Sequence, residues 1–557
     1  MYLSLTFIIT FIIITSRLIL NRIPVFYVLL HFPKEVFMKF ISYDLGTGGV
    51  KASLHDEKLN TLARSFIEYK TYYPKPGFHE QKPKNWWQGV IKSTKILLEQ
   101  SHTDPKEIAC IALSGHSCIA VPIDSAQDLL IDSVPIWSDT RAQDEAEEFF
   151  CTVDRSSWYM TTGNGFPPSC YAIFKMMWYR RHMPGLYCRT DKFIGSKDYI
   201  NMKLTGQIAT DYSYASSSGV YDLTARRYEP DLLKAAGVSG SLFPPITASH
   251  TIIGNITEDA AREIGLTTAV KVACGGVDNA CMAMGAVGAV DGKAYTSLGS
   301  SNWIPVNSKA PVLDPVTRPY VFAHIQEDMY TSAYSIFAGG SSLKWVRDTI
   351  CKDLNGEPDV YDKMSELAGK SPAGSNGILF NPSLAGGTSQ DKSIHIRGAY
   401  IGLHLGTSRN DLIRAAMEGI ALNLRMSLDH LGRHIHLADE LLFCGGGSKS
   451  LFWMQMFADV FGMDIIKTNI DQNAASLGAA AICARAVGLW KDYTDVPKLH
   501  TIEHRCVPDK ENHETYRNIL KVFEHICTAA ADLGDYMHKN LMPSIEKKGA
   551  YHDDQII

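Results

Sequence analysis

The sequence has no Cys-x-x-Cys pair, no Lys/Arg-rich tract, no P-loop, no short-period repeat and no unbroken apolar run of membrane-spanning length. Each absence removes a class of function. The 12 cysteines lack paired spacing, and Cys110, Cys274 and Cys444 stand in apolar stretches typical of reduced, buried thiols. A cytoplasmic protein without disulfides or structural zinc is therefore expected. His434 and His436 alternate, but with no cysteine or carboxylate at ligand spacing they read as surface or satisfied core histidines. A formal net charge of -5 without a basic tract leaves nothing suited to nucleic acid and points to small-molecule chemistry. The Gly369-Lys370-Ser371 triplet has Met364 where a P-loop needs its first glycine, so it is discarded.

With 557 residues, 45% hydrophobic and 20% charged, the chain has material for two or more cores. Residues 1–37 stand apart from the rest. Residues 3–14 are apolar except for Ser4, Thr6 and Thr10, Arg17 and Arg22 follow, and residues 23–30 form a second apolar run. Neither run reaches the roughly 18 to 20 residues of a span, and Met1-Tyr2-Leu3-Ser4 lacks the basic start of a secretory signal. An atypical anchor, a signal, and translated sequence upstream of a start at Met38 remain. The last is the expectation taken, because Met38-Lys39-Phe40 begins directly at the first strand, and no membrane attachment is then expected of the mature protein.

The most informative feature is a pair of similar turns, Asp44-Leu45-Gly46-Thr47-Gly48-Gly49 and Ser297-Leu298-Gly299-Ser300-Ser301. Phe40, Ile41 and Tyr43 before the first turn, with Val50, Ala52 and Leu54 after it, predict a hairpin. Glycine permits positive φ and lets backbone N–H groups converge on an anion, Thr47 adds a hydroxyl, and Asp44 at the loop mouth offers oxygen to a magnesium ion. Either turn alone would read as an ordinary tight turn. Two of them suggest a phosphate clamp between two domains.

Elsewhere, Pro83 opens a predicted helix with Trp86, Val90, Ile91, Thr94 and Leu97 on one face. Residues 108–113 read as a buried strand ending at Ser114-Gly115-His116, and residues 270–274 as a strand entering Gly275-Gly276-Val277-Asp278-Asn279 before a small-residue helix. The pattern restarts near Asp291. A helix capped by Asn410 and stopping at Gly432 is predicted, then a strand over 441–444 entering Gly445-Gly446-Gly447-Ser448-Lys449, and helices over about 451–460 and 473–487. From about His538 the chain becomes polar and reads as a frayed tail. Strands ending in polar loops and alternating with helices indicate an α/β architecture with site residues at strand ends.

Taken in order, Asp44-Leu45-Gly46-Thr47, Glu80-Gln81-Lys82-Pro83 with Trp86-Trp87, Trp137-Ser138-Asp139-Thr140-Arg141, Gly275-Gly276-Val277-Asp278-Asn279, Ser297-Leu298-Gly299-Ser300-Ser301 and Gly445-Gly446-Gly447-Ser448-Lys449 resemble the FGGY carbohydrate kinases. The resemblance runs over about 39–535 and is nearest to xylulokinase-like members. It implies two actin-like (ribonuclease H-like) domains with mixed sheets flanked by helices and an ATP/sugar cleft between them. Residues 38–289 would form the sugar-binding domain with the base, 290–537 the nucleotide-binding domain, and 538–557 the tail. The implied activity is ATP-dependent phosphorylation of a small sugar, taken as a ketose, with Mg2+ and a cytoplasmic location; a homodimer is compatible with it.

The resemblance assigns Asp278 as catalytic base and Asn279, His116, Cys118, Trp86, Asp139 and Arg141 to the sugar. Trp86 could equally serve helix packing, and Asp139 with Arg141 could equally be a structural ion pair. Gly46, Thr47, Gly48, Gly299, Ser300 and Ser301 would hold phosphates, and Asp44 magnesium. Gly446 and Gly447 would lie against the adenine or ribose; Ser448, with Lys449, would join them or start the next helix. Two departures bear on the substrate. Gly115-His116-Ser117-Cys118-Ile119 puts a cysteine where xylulokinases carry a histidine, and Ala385-Gly386-Gly387-Thr388-Ser389 lacks their Glu-Arg pair. Residues 171–182 keep only Lys175 and Trp178 of a family signature. Ribulose, gluconate, erythritol and quorum-sensing sugar-like molecules are alternative substrates. A non-catalytic sugar or nucleotide sensor is a rival function, disfavoured because a sensor has no need of the base, and a protein-binding actin- or chaperone-like ATPase is disfavoured by Asp278-Asn279 and Trp86-Trp87, which suit a small polyol.

Overall fold

The first sheet grows from the predicted hairpin. In the computed structural model, which describes residues 38–541 apart from 471–472, β1 (Lys39–Leu45) pairs antiparallel with β2 (Gly49–His55), Tyr43 lying opposite Ala52. The leader and the polar segment after Leu541 lie outside the described residues. β1 is buried along nearly its whole length, as a strand at mid-sheet with both faces covered must be. β3 (Thr61–Glu68) alternates between buried and exposed, the mark of an edge strand. On the other side of β1 lie β4 (Ile108–Gly115), parallel to it, then an antiparallel pair of β5 (Ile252–Asn255) and β6 (Lys271–Ala273), giving the order β5-β6-β4-β1-β2-β3. β7 (Gly276–Val277) pairs with the end of β4.

The second sheet repeats this plan. β8 (Ala294–Leu298) and β9 (Asn302–Ser308) form the second hairpin, β10 (Tyr320–Ala323) and β11 (Tyr330–Ile336) extend it, and β12 (Glu440–Gly445), β13 (Asp464–Thr468) and β14 (Ile502–Cys506) follow on the far side. The order is β10-β11-β9-β8-β12-β13-β14. Outward from each central strand, two parallel partners and one antiparallel strand lie on one side and antiparallel strands on the other. One exchange of chain order separates the copies: β5 precedes its neighbour β6, whereas β14 follows β13.

α1 (Pro83–Ser101) starts on Pro83, buries Trp86, Val90, Ile91, Thr94 and Leu97, and ends at His102 in the left-handed region. α2 (Ala172–His182) and α3 (Ser196–Thr205) lie between β4 and β5. α4 (Asp278–Val287) follows β7, and α5 (Gly339–Ile350) follows β11. α6 (Arg409–Gly432) is capped not by Asn410 but by Ser408, whose hydroxyl accepts the Asp411 N–H while the Asp411 carboxylate accepts the Ser408 N–H. This reciprocal box satisfies two otherwise orphaned donors, which Asn410 within the first turn could not do. α7 (Leu451–Phe461) ends on Gly462 in the left-handed region, and α8 (Ala474–Ala486) is followed by α9 (Lys510–Asn540). α9 runs two residues past His538, to Asn540.

The two halves exchange helices. α4 leaves the first sheet and places Ala283, Ala286 and Val287 against Tyr295, Leu442 and Ile466 of the second. α8 leaves the second sheet and places Leu477, Ala481 and Ile482 in one cluster with Phe40, Cys110 and Ala112 of the first. Where the helices cross, their backbones touch: a Cβ on Gly285 would lie 1.8 Å from the Ala474 carbonyl oxygen, and one on Gly478 would lie 2.0 Å from that of Cys281. Gly478→Ala should therefore cost about 3 kcal/mol or more, since backbone on each side cannot yield. Gly185→Ala, in open space on a surface helix, should be neutral or stabilising by about 0.5–1 kcal/mol. Denaturant unfolding of both variants checks the contrast; equal stabilities would refute the backbone contact.

Candidate active site

Asp278 is the first residue of α4, directly after β7. Gly275 has φ +79°, and a Cβ there would lie 2.2 Å from the Leu113 carbonyl oxygen, so glycine is required by conformation and by space. The Asn279 N–H donates to Asp278 Oδ1 at 2.8 Å. Burial, and then the charge of Asp44, push the Asp278 carboxyl up to about 7. Asp44, on β1, accepts a 2.9 Å bond from Ser114 Oγ and is also raised, chiefly by burial, with Lys51 and Ser114 opposing. Two carboxylates thus converge at the ends of β1 and β7, one of them poised to exchange a proton near neutrality.

This pair fits a magnesium ion. The described residues hold no group of three or more His, Cys, Asp or Glu side chains placed as metal ligands. Mg2+ keeps several waters and uses one or two carboxylates together with phosphate oxygens, and Asp44 and Asp278 offer carboxylate oxygens of that kind.

The loop after β4 carries the sugar-side candidates. His116 is buried, with Nδ1 2.9 Å from the Leu45 carbonyl and its ring edge-on to Trp86 at 5.3 Å. Burial lowers its pKa to about 4, so it is neutral: Nδ1–H donates to Leu45, and buried Nε2 is left as an acceptor without a protein partner. Cys118 sits at φ +60°. Burial pushes its thiol up to about 12, and it lies near enough to Asp278 to feel its charge. Lys175 on α2 fixes this loop, its Nζ donating to the Cys118 carbonyl at 2.9 Å and the Ile136 carbonyl at 2.5 Å.

Several expected roles change in the folded chain. Trp86 is 0% exposed and donates through Nε1 to Gln81 Oε1 at 2.9 Å, so it is core and offers no face to a sugar. Asp139 and Arg141 form an ion pair: the Asp139 carboxylate accepts from Arg141 Nε at 2.9 Å and Nη2 at 2.8 Å and from the His79 N–H at 2.7 Å. Arg141 also bonds Glu80 at 2.7 Å and lies over the Phe78 ring at 4.0 Å. Both groups are consumed by structure. Ser448 is buried and donates to the Gly445 carbonyl at 2.8 Å, so it closes its own turn instead of facing a nucleotide. Ser450, not Ser448 or Lys449, caps α7 by accepting the Trp453 N–H.

The first turn is held by Gln81 Nε2, which donates to the Thr47 carbonyl at 2.7 Å, and by Trp137 Nε1, which donates to Thr47 Oγ1 at 3.0 Å. Gly46 and Gly48 do not have positive φ. The glycine required by space is Gly49, where a Cβ would lie 2.5 Å from the Ile67 carbonyl oxygen. In the second turn, Gly299 N–H donates to the Ser301 carbonyl at 3.2 Å. Gly299 and Ser300, with Gly446 and Gly447, line a cavity of about 600 Å³, whereas Ser301 is not in its wall.

Sequence reasoning missed the other wall of this cavity, formed by Gly340, Ser341 and Lys344 of α5 together with Asp359 and Trp453. The Gly340 and Ser341 N–H groups donate to the carbonyls of Gly299 and Ser300 at 3.1 and 3.0 Å. A Cβ on Gly340 would lie 2.0 Å from the Gly299 oxygen. The signal was available in Ala338-Gly339-Gly340-Ser341-Ser342, a glycine pair where a strand gives way to a helix.

Comparison with known proteins agrees with this geometry. Residues 39–285 match the model of the N-terminal domain of the FGGY family of carbohydrate kinases, and residues 294–487 that of the C-terminal domain. A xylulose kinase of Staphylococcus epidermidis is 30% identical over 494 residues, 88% of this chain and 96% of the relative. A gluconokinase of Bacillus licheniformis is 26% identical over 88% of this chain and 95% of its own length. Among solved structures, a xylulose kinase from Rhodospirillum rubrum superposes with a TM-score of 0.82 at 26% identity, over 89% of this chain and 100% of that one. The shared fold is a pair of actin-like (ribonuclease H-like) domains with mixed sheets. Matched through both halves and along nearly the whole of its relatives, the chain belongs to the FGGY family of carbohydrate kinases.

Proposed function

We propose that this carbohydrate kinase transfers the γ-phosphoryl group of ATP to a hydroxyl of a small ketose, with Asp278 as general base. The observation that carries the reading is Asp278 itself, a carboxylate at a helix start, pushed up to about 7 by burial and by Asp44 and close to the loop of His116 and Cys118. As the sugar oxygen bonds to the γ-phosphorus, its proton passes to a carboxylate oxygen of Asp278. The bond from that phosphorus to the bridging oxygen breaks, and ADP leaves. Because the transition state is loose, the base acts mainly by orienting the hydroxyl and accepting its proton late. Asn279 has both donor and acceptor capacity for a neighbouring hydroxyl. Gly299, Ser300, Gly446 and Gly447 line the nucleotide cavity, and the Thr47 turn faces the phosphates. Magnesium, held with Asp44, supplies neutralisation of phosphate charge when bound.

A neutral sugar suits the site better than a sugar acid. Lys175 and Arg141, beside the sugar-side loop, are already committed to carbonyls and to Asp139 with Glu80. Xylulose kinases among the relatives support a ketose. Cys118 supplies a neutral thiol, a weak donor, so the preferred ketose should differ from one selected by a histidine.

A coupled ADP-release screen over ketopentoses, ketohexoses, polyols and sugar acids should find a ketose turned over best; a preference for gluconate would overturn the substrate assignment. Asp278→Asn should lower kcat by about a thousandfold while ATP binding measured by calorimetry stays within a few-fold.

The wild-type kcat/KM should fall about tenfold per pH unit below about pH 7, as Asp278 takes up a proton. A flat pH profile from 5 to 8 would sink the assignment of the base.

The same raised pKa has a cost in stability. Native Asp278 binds a proton more tightly than the unfolded chain, so its contribution falls as pH rises from about 4 to about 7 and stays low above. Asp278→Asn should therefore be about 1–2 kcal/mol more stable than wild type at pH 8, after allowing for solvent screening at a partly open cleft. The difference should vanish below about pH 4, as urea titrations at both pH values would show.

A further inference from the structure

Behind the base loop lies a buried polar cluster that phosphoryl transfer does not itself require. Lys197 on α3 is 0% exposed, with Nζ 2.7 Å from Asp198 Oδ1 and 3.2 Å from Asp211 Oδ1. It also donates to the Cys274 carbonyl at 3.2 Å, and Asn201 Nδ2 donates to the same oxygen at 2.8 Å. Asp211 caps the short helical turn Tyr212–Ala215, and its Oδ2 accepts from the hydroxyls of Ser213 and Ser249. The Ser213 hydroxyl in turn accepts the Val277 N–H at 3.0 Å. The backbone is therefore held at Cys274 from one side and at Val277, the residue before Asp278, from another.

The same turn reaches the sugar-side loop. Tyr214 OH donates to the His116 carbonyl at 3.0 Å, and Ser217 Oγ accepts the Cys118 N–H at 3.4 Å. Burying an ion-paired lysine and two aspartates is costly unless every partner is met. Here the ions meet one another, the Cys274 carbonyl and the hydroxyls of Ser213 and Ser249, and the turn that Asp211 caps bonds the backbones of both loops. We propose that Asp211 to Ser217 is a positioning element that sets the base loop and the sugar loop in mutual register, with Ser213 as the positioning residue for Asp278.

The inference rests on Asp278 being the base. Because Ser213 acts on Val277 and Tyr214 on His116, their loss should separate in steady-state kinetics. Ser213→Ala should lower kcat about tenfold or more, with the sugar KM and ATP affinity within twofold of wild type; Ser213→Thr, which keeps the hydroxyl, should recover most of the loss. Tyr214→Phe should instead raise the sugar KM about fivefold or more, with the smaller effect on kcat. Active-site titration normalises each rate to folded enzyme, and circular dichroism reports the fold.

Equal changes of kcat and KM in both variants, or a Ser213→Ala loss accounted for by inactive protein, would show a merely structural turn and overturn the proposal. So would Ser213→Ala turning over within twofold of wild type while Asp278→Asn is inactive. Asp278→Asn with full turnover would overturn the base assignment and, separately, this inference built on it.

Discussion

The contact on which the rest of the structure depends is the crossing of α4 and α8, backbone against backbone at Gly285 and Gly478. Both helices are apolar on almost all sides, which is stable only for a helix surrounded by protein. Each is surrounded because it packs on the other half's sheet. The first residue of α4 is Asp278, and the last residue of β12 opens the glycine turn that lines the cavity of about 600 Å³. A change in the distance between these helices would move Asp278 relative to the glycine turn after β12.

A second set of contacts limits how the halves can shift. Val321 of the β10 edge donates its N–H to the Gly163 carbonyl at 2.9 Å, and Phe166 stacks on Tyr320 with centroids 3.8 Å apart. The Ala323 N–H donates to Ser216 Oγ at 3.3 Å. Ser216 belongs to the turn whose neighbours bond the Val277 and His116 backbones, so this turn also covers part of the buried outer edge of the second sheet. Covering an edge removes its unpaired donors, and here it also transmits the position of one half to the other.

How much of this was legible from sequence depended on the range of the interaction. Each glycine turn and its flanking strands announce themselves within about fifteen residues, because alternation and turn chemistry are local. The place of Asp278 where a short strand gives way to a helix was legible through the ordered motifs. Trp86 could not be assigned from its spacing, because a tryptophan on a helix face serves core and site alike; its Gln81 bond and complete burial decide for the core. Asp139 and Arg141, two residues apart, read equally as a substrate clamp or an ion pair, and the distant Glu80, Phe78 and His79 settle the pair. The wall formed by Gly340 and Ser341 was missed because its meaning lies in two backbone bonds to residues some forty positions earlier. The Ser213 contact spans 64 residues and has no local signature.

The electrostatics of the cleft follow from this assembly. Asp44 and Asp278 are brought together by strands that must end at the same edge of one sheet, and burial there raises both above ordinary carboxylates. A folded protein would ordinarily relieve such a pair with an arginine, and Arg141 is near in sequence to the sugar-side strand, yet it is locked to Asp139 and Glu80. Lys175 and Lys197 are likewise engaged with backbone carbonyls or aspartates. Arg141, Lys175 and Lys197 are thus spent on shaping the loops, and Lys51 with Ser114 only partly offsets the burial of Asp44. In the proposed function, magnesium would meet the two carboxylates and the phosphates would meet the glycine turns. The cost of burying the two carboxylates together and their raised affinity for protons therefore have one physical origin.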